Sequence, residues 1–289
     1  MDLDVSNLQK VVYDDLYEHL FHIYVEHKPS EQQHLGYVDK STDLLEISLP
    51  KSKVDLTIQQ SLASLSSATE SSSTGFICWQ GAVNFADWVL ANPNCPFGDL
   101  FKAGSSISVL ELGAGVGAVL ASVFGPNVSS YVATDQKHVL KLMKSNFANN
   151  VVSQRYSSST SVRTHDSGPK KREGESWGTI EFLEFDWEHL EAGASRYHQI
   201  IGQECPDVIL ASDTIYNGHL ISFFVRALKQ MMGPHTLALV TIQLRDEDVT
   251  EEFFLEIFSQ HLELLAVPDE LLDDKLIEGF MVYCIRKAG

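Results

Sequence analysis

An apolar, strand-like run that leads directly into closely spaced glycines limits most strongly what this chain can fold into. The run reads Val109-Leu110-Glu111-Leu112-Gly113-Ala114-Gly115-Val116-Gly117. A strand that turns straight into a helix needs residues without Cβ, because glycine takes positive φ at low cost and lets a ligand approach main-chain N–H groups. The run therefore predicts a site for a nucleoside-bearing ligand at the end of a strand.

The glycine run by itself fits two kinds of cofactor. Gly113, Gly115 and Ala118 satisfy the G-x-G-x-x-G/A pattern of dinucleotide binding, and Asp135 follows about 20 residues after the run, where such folds keep a ribose-binding acid. S-adenosylmethionine is the other candidate, and it is the one that we expect. The rest of the chain has to separate the two.

Size and composition predict a folded, soluble protein. The chain has 289 residues, 44% of them hydrophobic, which is enough for a full core. No apolar run approaches 18 residues, and the start has no secretory signal, so we expect no membrane span and a cytoplasmic location, with the nucleus as a second one. The four scattered cysteines form no C-x-x-C pair, which favours buried, reduced thiols over metal ligands.

The net charge of −18 bears on the choice of partner. An excess of acid repels nucleic-acid phosphates and anionic lipid, so a basic protein is a more plausible partner than DNA, RNA or a membrane. A purely solubilising role for the charge is the alternative.

The hydrophobic pattern divides the chain into an extension, residues 1–100, and a ligand-binding domain, residues 101–289. In the extension, apolar spacings of three and four predict a helix over 5–27 and another over 82–90, and a hairpin is expected from strands 44–49 and 54–58. Residues 61–74 are rich in Ser and Thr and predict a loop or weak helix.

The second part alternates between strands and helices, which is typical of a doubly wound, mostly parallel α/β sheet. A basic, Ser-rich insert interrupts it at 153–177 and is interpreted as a loop or an RNA contact. The last two strands have only a short acidic link, which predicts an antiparallel pair at the sheet edge. The expected strands are 107–112, 130–134, 179–185, 207–212, 236–242, 262–267 and 279–286, and the expected helices are 117–124, 137–149, 219–232 and 249–260.

Acidic residues mark the carboxyl ends of three predicted strands, where open α/β sheets bind their ligands. Glu111 ends the first strand, Asp135 the second, and Asp213 the fourth, with Tyr216 three positions later. Asp135 can accept hydrogen bonds from ribose hydroxyls. Other interpretations stay open: a solvated acid for Glu111, helix N-caps for both aspartates, and a core aromatic for Tyr216.

An Asp-Trp pair follows the third strand. Trp187 can lie against an adenine ring, while Asp186 or nearby backbone contacts the exocyclic amine. Trp79, ahead of the fold proper, has the same two interpretations, a ligand contact or a core residue.

Taken in order, these motifs resemble the seven-strand protein lysine methyltransferases, whose signature is a D-x-x-Y motif after the fourth strand. The motifs are Trp79 after Gly75, the glycine run with Glu111, Asp135, Asp186-Trp187 and Asp213-Thr214-Ile215-Tyr216, and the resemblance extends over nearly the whole chain. It implies a class I, Rossmann-like fold with seven strands, the last one antiparallel. It also implies S-adenosylmethionine as methyl donor and S-adenosylhomocysteine as product.

The resemblance implies a set of site residues. Asp213 and Tyr216 would face the acceptor lysine, and no metal is involved. With Glu111, whose position ahead of the glycines points to the same site, the expected cofactor contacts are Trp79, Glu111, Gly113, Ala114, Gly115, Asp135, Trp187 and Ser212.

The substrate is expected to be a protein. Members of the family methylate chaperones, elongation factors and ribosomal proteins, and the resemblance to fungal ribosomal members implies a large-subunit ribosomal protein. We expect the chain to act as a monomer. A small-molecule methyltransferase is disfavoured by the D-x-x-Y motif. An oxidoreductase, or a non-catalytic nucleotide-binding module, is disfavoured by Glu111, the Asp-Trp pair and the terminal strand pair.

Overall fold

The computed structural model describes residues 5–27, 36–66, 74–157 and 178–288. Its strands are β1 (Gln9–Val11), β2 (Leu44–Leu49), β3 (Val54–Gln59), β4 (Ser108–Leu112), β5 (Ser130–Asp135), β6 (Thr179–Glu184), β7 (Val208–Ser212), β8 (Leu237–Gln243), β9 (Leu262–Ala266) and β10 (Phe280–Lys287). Its α-helices are α1 (Leu16–Glu26), α2 (Leu62–Ser66), α3 (Gln80–Ala91), α4 (Val119–Phe124), α5 (Leu140–Ser157), α6 (Leu190–Ile201), α7 (Gly218–Met231), α8 (Glu247–Ser259) and α9 (Asp274–Ile277).

One large sheet organises the fold, with strand order β1-β9-β10-β8-β7-β4-β5-β6. Strands β8, β7, β4, β5 and β6 pair in parallel, whereas β10 runs antiparallel between β8 and β9. The chain winds outward from β4 in one direction through β5 and β6, then in the other through β7 and β8. The doubly wound, mostly parallel α/β fold is therefore confirmed, and its topological switch point lies beside β4.

The last two strands, β9 and β10, form the predicted antiparallel pair, with β10 on the inner side next to β8. The structure corrects the strand count, because an eighth strand, β1, pairs antiparallel with β9 and covers its outer edge. Six of the eight residues of β10 are buried in succession, as expected of a strand covered on both faces.

Two helices also differ from the prediction. The helix expected over 5–27 begins only at Leu16, because Gln9–Val11 pairs with β9 instead. The helix α6 was not predicted, although a parallel crossover from β6 to β7 requires a connection of this kind. Helix α5 runs on to Ser157, so most of the insert expected at 153–177 lies outside the described residues.

Two hydrophobic cores fill the space on either side of the sheet. One contains residues of α3, α4 and the β2–β3 hairpin, and the other contains residues of α1, α6, α7 and α8. The hairpin is also tied to α5, since the side-chain amide of Asn146 accepts from the Gln59 backbone N–H at 2.8 Å and donates to its carbonyl at 2.7 Å. Residues of the first hundred thus contribute to both cores.

In the part of the chain that the structure describes, no helix combines the length and the apolar character needed to cross a membrane.

Candidate active site

A cavity of about 400 Å³ opens at the carboxyl ends of the parallel strands, next to the switch point. It brings together the predicted site residues Trp79, Gly113, Gly115, Asp135, Trp187, Ser212, Asp213 and Tyr216. The residues that also line it are Thr74, Gly75, Gln136, Phe185, Asp186, Glu188, Thr214, Asn217, His219 and Leu220.

The loop after β4 forms the cavity floor with its backbone. Gly113 and Gly115 have φ of +76° and +62°, and the N–H groups of Gly113 and Ala114 both donate to the Thr134 carbonyl, at 3.0 and 2.9 Å. A Cβ on Gly113 would lie 2.8 Å from Cγ2 of Thr214. Both the backbone conformation and the space therefore require glycine, as the sequence predicted.

Asp135 lies at the rim of this loop with its carboxylate fixed by backbone donors. Oδ2 accepts from the Gly115 N–H at 2.8 Å, and Oδ1 accepts from the Gln136 N–H at 2.7 Å. Burial raises the pKa of the Asp135 carboxyl, and the two N–H donors oppose that shift. Each carboxylate oxygen has a further acceptor direction, so the group can still bind a pair of hydroxyls.

Two predicted cofactor residues are not among those that line the cavity. Ala114 contributes its backbone to the loop described above. Glu111 is buried beneath the loop, where its Oε2 accepts from the Tyr131 hydroxyl at 2.7 Å. Burial raises the pKa of the Glu111 carboxyl to about 8. A direct contact between Glu111 and a cofactor stays a prediction.

Asp213 is buried at the end of β7 in a left-handed conformation, with φ of +56°. Its Oδ2 accepts from the Gly81 N–H at 2.8 Å, and its Oδ1 lies 3.3 Å from Nη2 of Arg245. A Cβ on residue 81 would lie 2.4 Å from Oδ2, so the approach of α3 to this carboxylate depends on a glycine. Burial raises the pKa of the Asp213 carboxyl, whereas Arg245 and the backbone donors oppose the shift.

Arg245 is a site residue that sequence reasoning missed. Its guanidinium lies 4.6 Å above the Trp79 ring, and its Nε donates to Oε1 of Gln243 at 2.6 Å. Gly36 packs closely against the Arg245 side chain, since a Cβ on residue 36 would come within 2.7 Å of Nη2 of Arg245. The signal was available, because Arg245 follows the carboxyl end of β8 and only the preceding strand ends had been considered.

Four buried polar atoms that belong to cavity-lining residues have no hydrogen-bond partner in the described structure. They are Oε1 of Gln136, Nε1 of Trp187, Oγ of Ser212 and Oγ1 of Thr214. Buried polar atoms are rarely left unpaired, so this group indicates a polar ligand that supplies donors and acceptors. Trp187 also offers an apolar ring surface, held edge-on against Phe224 at a centroid distance of 5.0 Å.

The fold, the glycine loop and the acid at each strand end define a class I methyltransferase-like site, and comparison with known proteins gives the family. Residues 55–166 and 178–261 match the lysine methyltransferase family profile, and the chain belongs to this family. The prediction of an S-adenosylmethionine-dependent lysine methyltransferase is thereby confirmed at the level of the family.

Two fungal relatives resemble the chain over most of its length. Ribosomal lysine N-methyltransferase 5 of Zygosaccharomyces rouxii is 32% identical, over 79% of this chain and 78% of the relative. The protein of the same name from Lachancea thermotolerans is 29% identical, over 90% of this chain and 93% of the relative. The predicted resemblance to fungal ribosomal lysine methyltransferases is therefore confirmed.

Proposed function

We propose that this chain transfers a methyl group from S-adenosylmethionine to a lysine of a large-subunit ribosomal protein in the cytoplasm, and that it acts as a monomer. The observation that carries the proposal is one cavity lined both by the glycine loop with Asp135 and by Asp213, whose buried carboxylate is charge-compensated by Arg245. The names of the fungal relatives and the acidic charge of the chain both support a basic ribosomal substrate.

The residues of the cavity match the parts of the proposed cofactor. Asp135 would accept both ribose hydroxyls, and Trp187 would cover the adenine ring, with its indole N–H free to donate. The Gly113–Gly115 backbone and the unpaired hydroxyl of Ser212 would hold the amino-acid end of the cofactor. Trp79 lines the same cavity and would form another of its walls.

The reaction needs a neutral amine, although a free lysine has a pKa near 10.4. When bound, S-adenosylmethionine supplies an electrophilic methyl group whose transfer to the lysine nitrogen leaves S-adenosylhomocysteine. Asp213 would accept a hydrogen bond from that nitrogen and align it for in-line attack. Arg245 compensates the charge of Asp213, so the carboxylate does not hold the acceptor as an ammonium ion.

In this scheme Asp213 is not the base. Arg245 and the Gly81 N–H stabilise the charged form of this carboxylate against the burial that raises its pKa, and the lysine proton would pass to water. Tyr216 lies two residues past the buried Thr214 and lines the cavity, so it would form a wall beside the acceptor nitrogen.

Two measurements test the proposal. Calorimetry is expected to show binding of S-adenosylhomocysteine and none of NAD; the reverse result would contradict it. Incubation of the enzyme and labelled S-adenosylmethionine with large ribosomal subunits from cells that lack the enzyme should label a large-subunit protein.

Asp213→Ala provides the matched control. It should abolish labelling while S-adenosylhomocysteine still binds, because Asp213 would contact the acceptor and not the cofactor. Loss of cofactor binding in this variant would move Asp213 into the cofactor site. Absence of any labelled large-subunit protein with the wild-type enzyme would remove the substrate assignment.

A further inference from the structure

The first helix, α1, has a second apolar face that stays largely exposed, although Tyr13 at its start packs edge-on against Phe258. Its core-facing side chains Leu16, Leu20 and Ile23 are buried. Another side of the helix carries exposed apolar residues at a spacing of four, beginning in the turn before the helix. We call this set the apolar stripe. Their exposed fractions are 64% for Tyr13, 75% for Tyr17, 69% for Phe21 and 54% for Val25.

This apolar stripe stands out from the rest of the described surface. The other large hydrophobic residues that are exposed there, Leu44, Ile200 and Leu255, belong to three different elements and are less exposed. Single exposed apolar residues are ordinary, but a contiguous set on one face marks an interaction site.

Acidic side chains accompany the stripe. Asp14 in the turn before α1 and Glu18 on α1 directly follow Tyr13 and Tyr17 in sequence, and neither forms an ion pair within the described residues. The negative charge of Glu251 on α8 lies near the Tyr17 hydroxyl and raises the pKa of the phenol. Aromatic rings beside uncompensated carboxylates form a surface that suits lysine and arginine side chains, whose stems pack on the rings and whose charges meet the acids.

The stripe is held rigidly by contacts on the other sides of α1. His19 Nε2 lies 2.9 Å from the Tyr283 hydroxyl, and the Tyr24 hydroxyl lies 2.8 Å from Oγ1 of Thr250. A rigid helix loses little conformational entropy when a partner binds.

The end of the helix is linked to the cavity edge. The carbonyl of His27 accepts from the Gly279 N–H at 2.8 Å, and the Gly279 carbonyl accepts from the Leu244 N–H at 2.9 Å. The next residue, Arg245, is the partner of Asp213. The Val25 end of the stripe is therefore at the same edge of the sheet as the cavity.

We infer that the apolar stripe docks a basic segment of the methyl-accepting protein and so presents a neighbouring lysine to the cavity. This inference rests on the proposed function, because the occupant is the substrate of that site. A second copy of this chain would bring Asp14 and Glu18 against their own counterparts, and an anionic membrane would meet the same acids, so like charges oppose both alternatives.

The test compares two double variants of the full-length chain. Tyr17→Ala with Phe21→Ala removes the centre of the stripe, and Leu44→Ala with Ile200→Ala removes two other exposed apolar side chains, which belong to β2 and α6. With dissociated large-subunit proteins as acceptor, the stripe variant should raise KM about tenfold while kcat and the Kd for S-adenosylhomocysteine stay unchanged. The control variant should behave as wild type; equal KM values in the two variants would overturn the inference.

A binding measurement separates this inference from the proposed activity. A synthetic lysine- and arginine-rich peptide, titrated by fluorescence anisotropy without cofactor, should bind wild type and bind the stripe variant about tenfold more weakly. Asp14→Asn with Glu18→Gln should reduce the salt dependence of that binding. If the peptide binds both proteins equally, docking is wrong even where methylation occurs. If wild type and the stripe variant differ only in their binding to phosphatidylserine vesicles or to a second copy of the chain, the assigned occupant is wrong.

Discussion

At the scale of single residues, Arg245 is the cation beside Asp213, the residue proposed to face the acceptor lysine. It faces Asp213, Gln243 and the ring of Trp79, and Tyr216 adds a further titratable group nearby. Burial lowers the pKa of the guanidinium, although the neighbouring Asp213 opposes that shift. A cation held at this place disfavours the ammonium form of any amine that approaches Asp213.

Arg245→Gln should therefore move the pH dependence of kcat to higher pH by about one unit, because the remaining carboxylate stabilises the protonated lysine. Arg245→Lys keeps the positive charge and should keep the wild-type midpoint. A kinetic pH profile at saturating substrate measures both. If Arg245→Gln lowers kcat by the same factor at every pH, the role of Arg245 is only structural.

The buried carboxyl of Glu111 leads to a prediction about how the free energy of unfolding depends on pH. Its pKa of about 8 in the fold lies above the ordinary value of 4.5, so the fold favours the neutral acid, and stability is lost as pH rises from about 4.5 to 8. The free energy of unfolding of wild type, relative to that of Glu111→Gln, should fall by up to about 1.4 kcal/mol per pH unit in this range. Denaturant titrations at several pH values measure it. Parallel curves would mean that Glu111 is already ionised in the fold.

At the scale of elements, α1 offers neighbouring residues with opposite surroundings. Leu20 is 2% exposed and Phe21 is 69% exposed. Leu20→Ala should lower the free energy of unfolding by about 2–5 kcal/mol, since it leaves a cavity against the sheet. Phe21→Ala should change it by less than about 0.5 kcal/mol. Thermal or urea unfolding checks both, and a large loss in Phe21→Ala would show that the stripe stabilises the fold.

The elements also show where sequence reasoning succeeds and fails. The parallel strands β4 to β8 were predicted because apolar patterns of strand length and the glycine loop are local signals. The strand β1 was not, because the pattern of Leu8, Val11 and Val12 also fits a helix, and only pairing with β9 decides it. The helix α6 has apolar residues at helical spacing, Leu190, Ala194 and Tyr197. The need for a connection between two parallel strands would have directed attention to them.

The candidate site divides in the same way. Residues inside motifs, such as Gly113, Asp135 and Asp213, were found because each motif follows a strand end. Gly81 was missed because its role depends on a carboxylate that is 132 residues away in sequence, and a contact of that separation leaves no local pattern. Arg245 was missed because the carboxyl end of β8 was not considered.

At the scale of the whole molecule, the net charge of −18 should govern encounter with a basic substrate. Raising the ionic strength from about 0.05 M to about 0.3 M should increase KM for large-subunit proteins severalfold, because screening weakens long-range attraction. The value of kcat at saturating substrate should change little. Steady-state kinetics in a salt series measures this, and a KM that is independent of salt would indicate an encounter without steering.

The short strand β1 has a consequence for the solubility of the protein. It covers the outer edge of β9, whose sequence Leu-Glu-Leu-Leu-Ala would otherwise expose free backbone groups along an apolar strand. Such edges recruit strands from other molecules, whereas a three-residue strand that carries Lys10 gives little to pair with. The strand β1 thus protects the edge of β9 from aggregation. A chain that lost β1 is expected to collect in the insoluble fraction of the cell before any defect in catalysis can be measured.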